Sequence, residues 1–273
     1  MPELPEVENT RRYLIEAGLP GRTFTGADVG WAKTVKKPSL EDFVLGLTGG
    51  TVQEVTRRGK YLLFKLGHQG SDTGPTLVIH LGMTGGLRIQ PAKQPVHSMV
   101  RHRFFLDDET ELRFQDGRKF GKLWLADNPN DILPPLSPDP FSEEFTLKSF
   151  RDHLKGRSAP IKAVLLEQSI VSGMGNLYAD ESLFLAGISP VRPASKLTVK
   201  EATRLKDCMI FAFTSALEQY DRSRSEQWPD PPMGLSSWSI PREKNGLCPN
   251  CGGPISIIRV RARGTCFCPK CQR

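Results

Sequence analysis

The sequence predicts an α+β chain built from more than one domain, and three observations predict it. From about residue 22 to 126, short apolar runs recur between Gly, Asp and Pro turns, the pattern of a β-sandwich. From residue 146 the apolar spacing lengthens to that of helices. The final stretch carries two Cys-x2-Cys pairs. A chain of 273 residues suits two domains, or one plus a small module, at roughly 100–200 residues per domain.

The elements follow in order. Residues 1–17 read as a helix: Leu4, Val7, Leu14 and Ile15 fall near helical spacing and acids crowd the first turn. Strands are expected at Thr51–Val55, Tyr61–Leu66, Leu77–Leu81, Arg103–Leu106, Glu111–Phe114 and Lys122–Leu125. Residues 128–140 hold five prolines, which predicts a semi-rigid linker at the domain boundary. Helices are expected at Thr146–Leu154, Ala159–Glu167, Leu177–Ala186 and Thr198–Tyr220, the last opening on a Thr198/Glu201 capping box. Residues 221–246 are polar and proline-rich without a period, and read as a long loop. The expected division is 1–127, a linker at 128–142, a helical domain at 143–244 and a cysteine module at 245–273.

Composition narrows the class. No apolar run approaches 18 residues, so no membrane span is predicted. The opening residues lack an apolar core, so no secretory signal is predicted and an intracellular location is expected. The net charge of +7 favours a polyanionic partner. Between Cys248 and Arg273 there are five Lys/Arg and no Asp or Glu.

Two places carry chemistry on their own residues. Cys248-x2-Cys251-x16-Cys268-x2-Cys271 has the spacing of a four-cysteine zinc site. Four thiolates leave no open position for water, so one structural Zn2+ is expected. Cys208 and Cys266 stand outside that set. At the N-terminus, removal of Met1 would expose the secondary amine of Pro2. An α-amino group has a pKa near ~8, about two units below lysine, so more of it is neutral and nucleophilic at neutral pH. Glu3 and Glu6 stand beside it as proton donors and acceptors. The same Pro-Glu-Leu-Pro-Glu run also serves simply to start a helix.

The opening MPELPEVE resembles the formamidopyrimidine-DNA glycosylase family, whose endonuclease VIII relatives begin slightly differently. The likeness continues through His80-Leu-Gly-Met-Thr-Gly, Asp116-Gly-Arg-Lys-Phe-Gly121, Gly173-Met-Gly-Asn-Leu-Tyr-Ala-Asp-Glu181 and the cysteine hairpin, in family order. It implies an N-terminal β-sandwich with a leading helix, a helix–two-turn–helix domain and a C-terminal zinc finger, with DNA bound between them. It implies a bifunctional glycosylase/lyase of base-excision repair, acting as a monomer on double-stranded DNA with oxidised bases or abasic sites. Pro2 would attack the sugar C1′, Glu3 would protonate the ring oxygen as it opens, and Glu6 would support the first turn. Lys60 resembles a lysine that contacts phosphate. Met83, Arg118 and Phe120 would fill the gap left by a flipped base, apolar side chains plugging the hole and Arg meeting the orphaned partner. Asn176 would hold phosphate with Tyr178 beside it, and Arg263 would grip the phosphates next to the lesion.

The likeness breaks in one region. Where the family usually carries a Gly-Gly-Thr-Thr segment that caps a flipped oxidised guanine, this chain has a segment running from Tyr220 through Trp228 and Trp238. Asp116-Gly-Arg-Lys also replaces the common Asp-Pro-Arg-Arg. The catalytic head is intact while the lesion-reading segment is rewritten, so broader lesion choice is expected. The competing reading is a damage- or abasic-site-binding protein on the same scaffold, with lyase activity but weak base excision.

Overall fold

A computed structural model describes residues 1–68, 71, 73–223, 238–243 and 245–273. The chain divides into two compact units, Met1–Pro134 with Tyr220–Gly234, and Pro135–Gln219 with Leu235–Arg273. No helix among the described residues is long and apolar enough to cross a membrane.

The first unit is a two-sheet sandwich with a leading helix. Helix α1 spans Leu4–Glu16, beginning three residues later than the sequence pattern suggests. Glu3 is its N-cap in extended conformation, and Pro5 sits in the first turn, where a missing N–H costs nothing. Pro2 therefore lies outside the helix. Leu4, Val7 and Leu14 are fully buried, each contributing about 1.5–3 kcal/mol by leaving water.

Strands β1 (Phe24–Val29), β2 (Val35–Lys37), β3 (Gly50–Arg58), β4 (Tyr61–His68), β5 (Thr76–His80), β6 (Gly86–Pro91), β7 (Val100–Leu106), β8 (Thr110–Gln115) and β9 (Lys122–Ala126) make up the sheets. One sheet runs β1-β7-β8-β6 and the other β2-β9-β5-β4-β3. Neighbours are antiparallel except β2 with β9, which are parallel. A common core joins Phe24, Phe64, Phe104 and Phe114 with Leu14 of α1 and Phe43 of α2 (Leu40–Leu47). Strand β4 is buried on both faces through Leu62, Leu63 and Phe64, so its apolar residues run together instead of alternating.

The second unit is helical and ends in a hairpin. It contains α3 (Leu147–Leu154), α4 (Ile161–Leu165), α5 (Asn176–Leu185), most of α6 (Val199–Arg222), and the antiparallel strands β10 (Ser256–Val260) and β11 (Arg263–Phe267). The α6 capping box forms as expected: the Glu201 N–H donates to Thr198 Oγ1 at 3.3 Å and the Thr198 N–H to Glu201 Oε2 at 2.8 Å. Lys162 on α4 is fully buried and pairs with Asp180 on α5 at 2.7 Å. Its ammonium also donates to Thr265 Oγ1 at 2.7 Å and to the Gly264 carbonyl at 3.0 Å. The other Asp180 oxygen accepts the Cys266 N–H at 3.1 Å and Arg242 at 3.3 Å. One buried ion pair thus ties two helices to the cysteine hairpin.

Candidate functional site

At the start of α1, the Glu3 N–H donates to Glu6 Oε2 at 2.7 Å. That contact satisfies a helix-terminal donor and fixes the direction in which the chain leaves the helix toward Pro2. Glu3 and Glu6 are 1% and 5% exposed, and Pro2 is half-buried. The second Glu6 oxygen accepts the Tyr220 hydroxyl at 3.0 Å. One turn on, buried Glu8 accepts Arg11 at 2.8 Å and Arg57 at 3.1 Å. Burial raises the Glu8 carboxyl, but those two guanidiniums outweigh it and hold the group below its ordinary range.

Lys60 sits in the tight turn between β3 and β4 and is buried. Its charge bears on His80 at the end of β5. Burial, then Lys60 and Lys122, bring the His80 imidazole down to about 4, so it is neutral at physiological pH. His80 Nδ1 accepts the Gly82 N–H at 3.1 Å, which leaves the ring proton on Nε2 as a donor. Sequence reasoning quoted His80 within a motif and gave it no role; its position beside Lys60 marks it as part of the same polar surface.

Met83, Arg118 and Phe120, the three side chains expected to fill a vacated base position, are carried on two loops in backbone contact. Gly82 has φ +69°, and a Cβ there would stand 2.5 Å from the Phe120 carbonyl carbon and 2.7 Å from the Gly121 nitrogen. Only glycine lets the Met83 and Phe120 loops meet so closely. Buried Asp116 latches both: Oδ1 accepts Thr84 Oγ1 at 2.7 Å and the Arg118 N–H at 3.2 Å, and Oδ2 accepts the Gly121 N–H at 2.7 Å. Lys119 between them holds a left-handed φ of 59°. Phe120 is 49% exposed with the Arg118 guanidinium 5.0 Å from its ring centre, while Met83 is half-buried. Large apolar and cationic groups are thus displayed to solvent on a rigid mount.

In the second unit, Asn176 is the first residue of α5, where helix N–H groups point outward and favour an anion. Its Nδ2 donates to the Gly264 carbonyl at 3.0 Å. Arg263, the first residue of β11, is exposed beside that carbonyl. The hairpin turns through Arg261 and Ala262, both left-handed at φ 43° and 63°. Tyr178 lies two residues further along α5 than Asn176. Its side chain is 1% exposed and packs 5.3 Å from Phe213 and 5.0 Å from Trp238. Trp238 is committed to Tyr178 and to Arg242, 5.1 Å away. Trp228 and the rest of 224–237 lie outside the described residues.

The thiols of Cys248, Cys251, Cys268 and Cys271 all lie within 4.8 Å of one another. The Cys248–Cys271 and Cys251–Cys268 sulfurs are 3.8 and 3.6 Å apart. A tetrahedron with Zn–S bonds of ~2.3 Å has edges of ~3.8 Å, so the cluster is built for one structural zinc ion. Cys266 lies outside the cluster, its backbone held by Asp180.

Comparison with known proteins agrees with this geometry. Residues 1–123 match the formamidopyrimidine-DNA glycosylase N-terminal domain, 136–227 the H2TH domain of the same glycosylase, and 247–273 a zinc finger found in FPG and IleRS. A formamidopyrimidine-DNA glycosylase of Synechococcus sp. is 38% identical over 282 residues, covering 100% of this chain and 99% of the relative. One of Bacillus licheniformis is 39% identical over 288 residues, covering 100% of both. Among solved structures, MutM (Fpg) from Thermus thermophilus superposes with a TM-score of 0.83 at 38% identity, over 99% of this chain and 98% of that one. The Lactococcus lactis protein in complex with FAPY-dG DNA gives a TM-score of 0.86 at 31% identity, over 99% of this chain and 100% of that one.

Proposed function

The chain belongs to the formamidopyrimidine-DNA glycosylase family, and from that premise we propose that it is an intracellular base-excision repair enzyme that joins base removal to abasic-site strand cleavage through the amine of Pro2. The observation that supports the reading is the contact of the Glu3 N–H with Glu6, which caps α1 one residue after Pro2. That helix end lowers the proton affinity of a nearby amine and favours its neutral, nucleophilic form.

In this mechanism, once Met1 is removed, the Pro2 nitrogen lone pair forms a bond to C1′ and the N-glycosidic bond breaks, its electrons leaving with the base, which takes up a proton. Glu3 delivers a proton to O4′ as the C1′–O4′ bond opens, and the nitrogen becomes an iminium. Loss of a C2′ proton expels the 3′ phosphate, a second elimination expels the 5′ phosphate, and water releases the sugar fragment. Lys60 and Arg263 hold the flanking phosphates, with Asn176 at the α5 N-terminus. Met83, Arg118 and Phe120 fill the vacated stack. The proposed division of labour follows the segments 1–127, 143–244 and 245–273, joined by the 128–142 linker.

The test is borohydride trapping on abasic-site duplex. The protein with Pro2 first is expected to give a covalent adduct, and a version with one extra residue ahead of Pro2 is expected to give none. Equal trapping by both would sink the proline mechanism. For lesion choice, the rewritten 221–246 segment supports broader specificity, because discrimination needs hydrogen bonds to the base edge. Ring-opened purines and oxidised hydantoins are expected to be excised at least as fast as 8-oxoguanine in single-turnover assays. A strong preference for 8-oxoguanine opposite cytosine, lost on deleting residues 224–240, would reverse that reading.

A further inference from the structure

The segment in which the family likeness breaks off begins at Tyr220, and Tyr220 is in direct contact with the N-terminal site. Its hydroxyl donates to Glu6 Oε1 at 3.0 Å, while Glu6 Oε2 accepts the Glu3 N–H at 2.7 Å. Tyr220 is 6% exposed and Glu6 5%, so the bond between them is shielded from exchange with water. Tyr220 lies in the last turn of helix α6. Burial, and then the charge of Glu6, push the phenol above its ordinary range, so it keeps its proton and remains a donor. The next residue, Asp221, pairs with Arg12 of α1 at 3.3 Å, so this helical turn meets α1 at two polar points.

We propose that Tyr220 is a positioning residue of the Pro2–Glu3–Glu6 site, its hydroxyl holding the Glu6 carboxylate in the orientation that anchors the Glu3 backbone. The proposal rests on the reading in which Pro2 and Glu3 are the reacting groups. A carboxylate with a donor on each oxygen has its side-chain torsions fixed. Removing the Tyr220 donor takes away one of the contacts that set the carboxylate's orientation, and a reorientation of the carboxylate loosens the Glu3 N–H. Because Pro2 is bonded directly to Glu3, that loosening moves the nucleophilic nitrogen. Tyr220 is thereby joined, by two hydrogen bonds through Glu6, to the reacting end of the chain.

The experiment measures single-turnover borohydride trapping on abasic-site duplex across a range of DNA concentrations. Tyr220→Phe keeps the ring and removes the donor. It is expected to slow trapping at saturating DNA about tenfold, the size expected for a lost hydrogen bond to a charged group. The half-saturating DNA concentration is expected to stay unchanged. In the Glu6→Gln background the same substitution is expected to have little added effect, since both changes act on one contact. Asp221→Asn, which removes the charge that pairs with Arg12, is expected to trap at the wild-type rate. Independently of any loss of fold in Tyr220→Phe, 3-fluoro- and 3,5-difluorotyrosine at position 220 retain the hydroxyl and the shape and should give a graded change in rate. An unaffected Tyr220→Phe, a full additive loss with Glu6→Gln, an Asp221→Asn defect equal to that of Tyr220→Phe, or a flat fluorotyrosine series would each overturn the inference. A wild-type chain that is not trapped at all would overturn the proline reading and this inference with it.

Discussion

Asn176 donates through Nδ2 to the Gly264 carbonyl, 3.0 Å away, joining the first residue of α5 to the hairpin strand that carries Arg263. The Gly264 carbonyl also accepts the Lys162 ammonium at 3.0 Å, and Asp180 of α5 accepts the Cys266 N–H, so the Asn176 amide is one of several ties between this helix end and the hairpin that carries Arg263. Asn176→Ala is expected to weaken abasic-site DNA binding about tenfold, and Arg263→Ala by a similar factor. Arg263→Ala should also lower the slope of log affinity against log salt by about one. The double variant is expected to lose less than the sum, because Asn176 and Arg263 act at the same hairpin tip. Fluorescence anisotropy over a salt series checks this; full additivity would show that the contact does not orient Arg263.

Glu3 is asked to protonate a sugar oxygen only while the ring is closed. Glu3→Gln is expected to slow excision of an oxidised base by at least about a hundredfold, the usual range for a lost general acid. Trapping on the ring-opened form of an abasic site should fall far less. Equal losses on both substrates would remove Glu3 from ring opening.

The four-cysteine cluster makes folding of the hairpin depend on metal. Metal analysis is expected to find one zinc ion per chain in the wild type and none in Cys268→Ser. That variant should lose DNA affinity at the same time, since Arg263 stands on a strand of that hairpin. Cys208→Ser should retain both, because Cys208 lies on α6 outside the cluster. Normal DNA binding by zinc-free Cys268→Ser would separate the finger from the interface.

His102 on β7 is 1% exposed among aromatic rings. Burial, with Arg101 adding to it and Asp116 opposing it, brings its imidazole from 6.5 to about 4. The unfolded chain therefore binds a proton here between pH 6.5 and 4 that the folded chain refuses. Stability is full above pH 6.5 and is lost as pH falls toward 4, by about 3 kcal/mol from this one site. Denaturant melts from pH 7 to pH 4 should show His102→Leu losing correspondingly less than the wild type. Parallel curves for the two proteins would show that His102 does not titrate this way.

What could be read in the sequence was local. The Cys-x2-Cys pairs bind through neighbours in a turn, so their spacing carries the site, and the Thr198/Glu201 box is complete within four residues. Strands β3, β4, β5, β7, β8 and β9 announced themselves through apolar runs. Helix α2 did not, because it is only eight residues long and contains Gly46. Strand β1 has a glycine and an aspartate among six residues, and β6 alternates only through Leu87 and Ile89. The helix start at Leu4 was missed because Pro2 and Pro5 both satisfy the first-turn preference. Burial of Tyr178 beside its motif neighbour Asn176 left no mark in the sequence, because two residues along a helix turn a side chain to another face. Contacts that join distant parts of the chain left no local mark. Glu6 and Tyr220 are 214 positions apart, and Lys162 and Thr265 are 103.

The contact between Gly82 and the Phe120 backbone makes the two solvent-facing loops a single tool with one handle. Blades can be exchanged at Met83, Arg118 and Phe120 without disturbing the mount. A side chain added at position 82 would pry the loops apart and displace all three blades together. A directed-evolution library aimed at opposite-base choice is therefore best spent on 83, 118 and 120, with Gly82 and Asp116 held constant. A selected variant that changes Gly82 should carry a compensating rearrangement of the 116–121 loop.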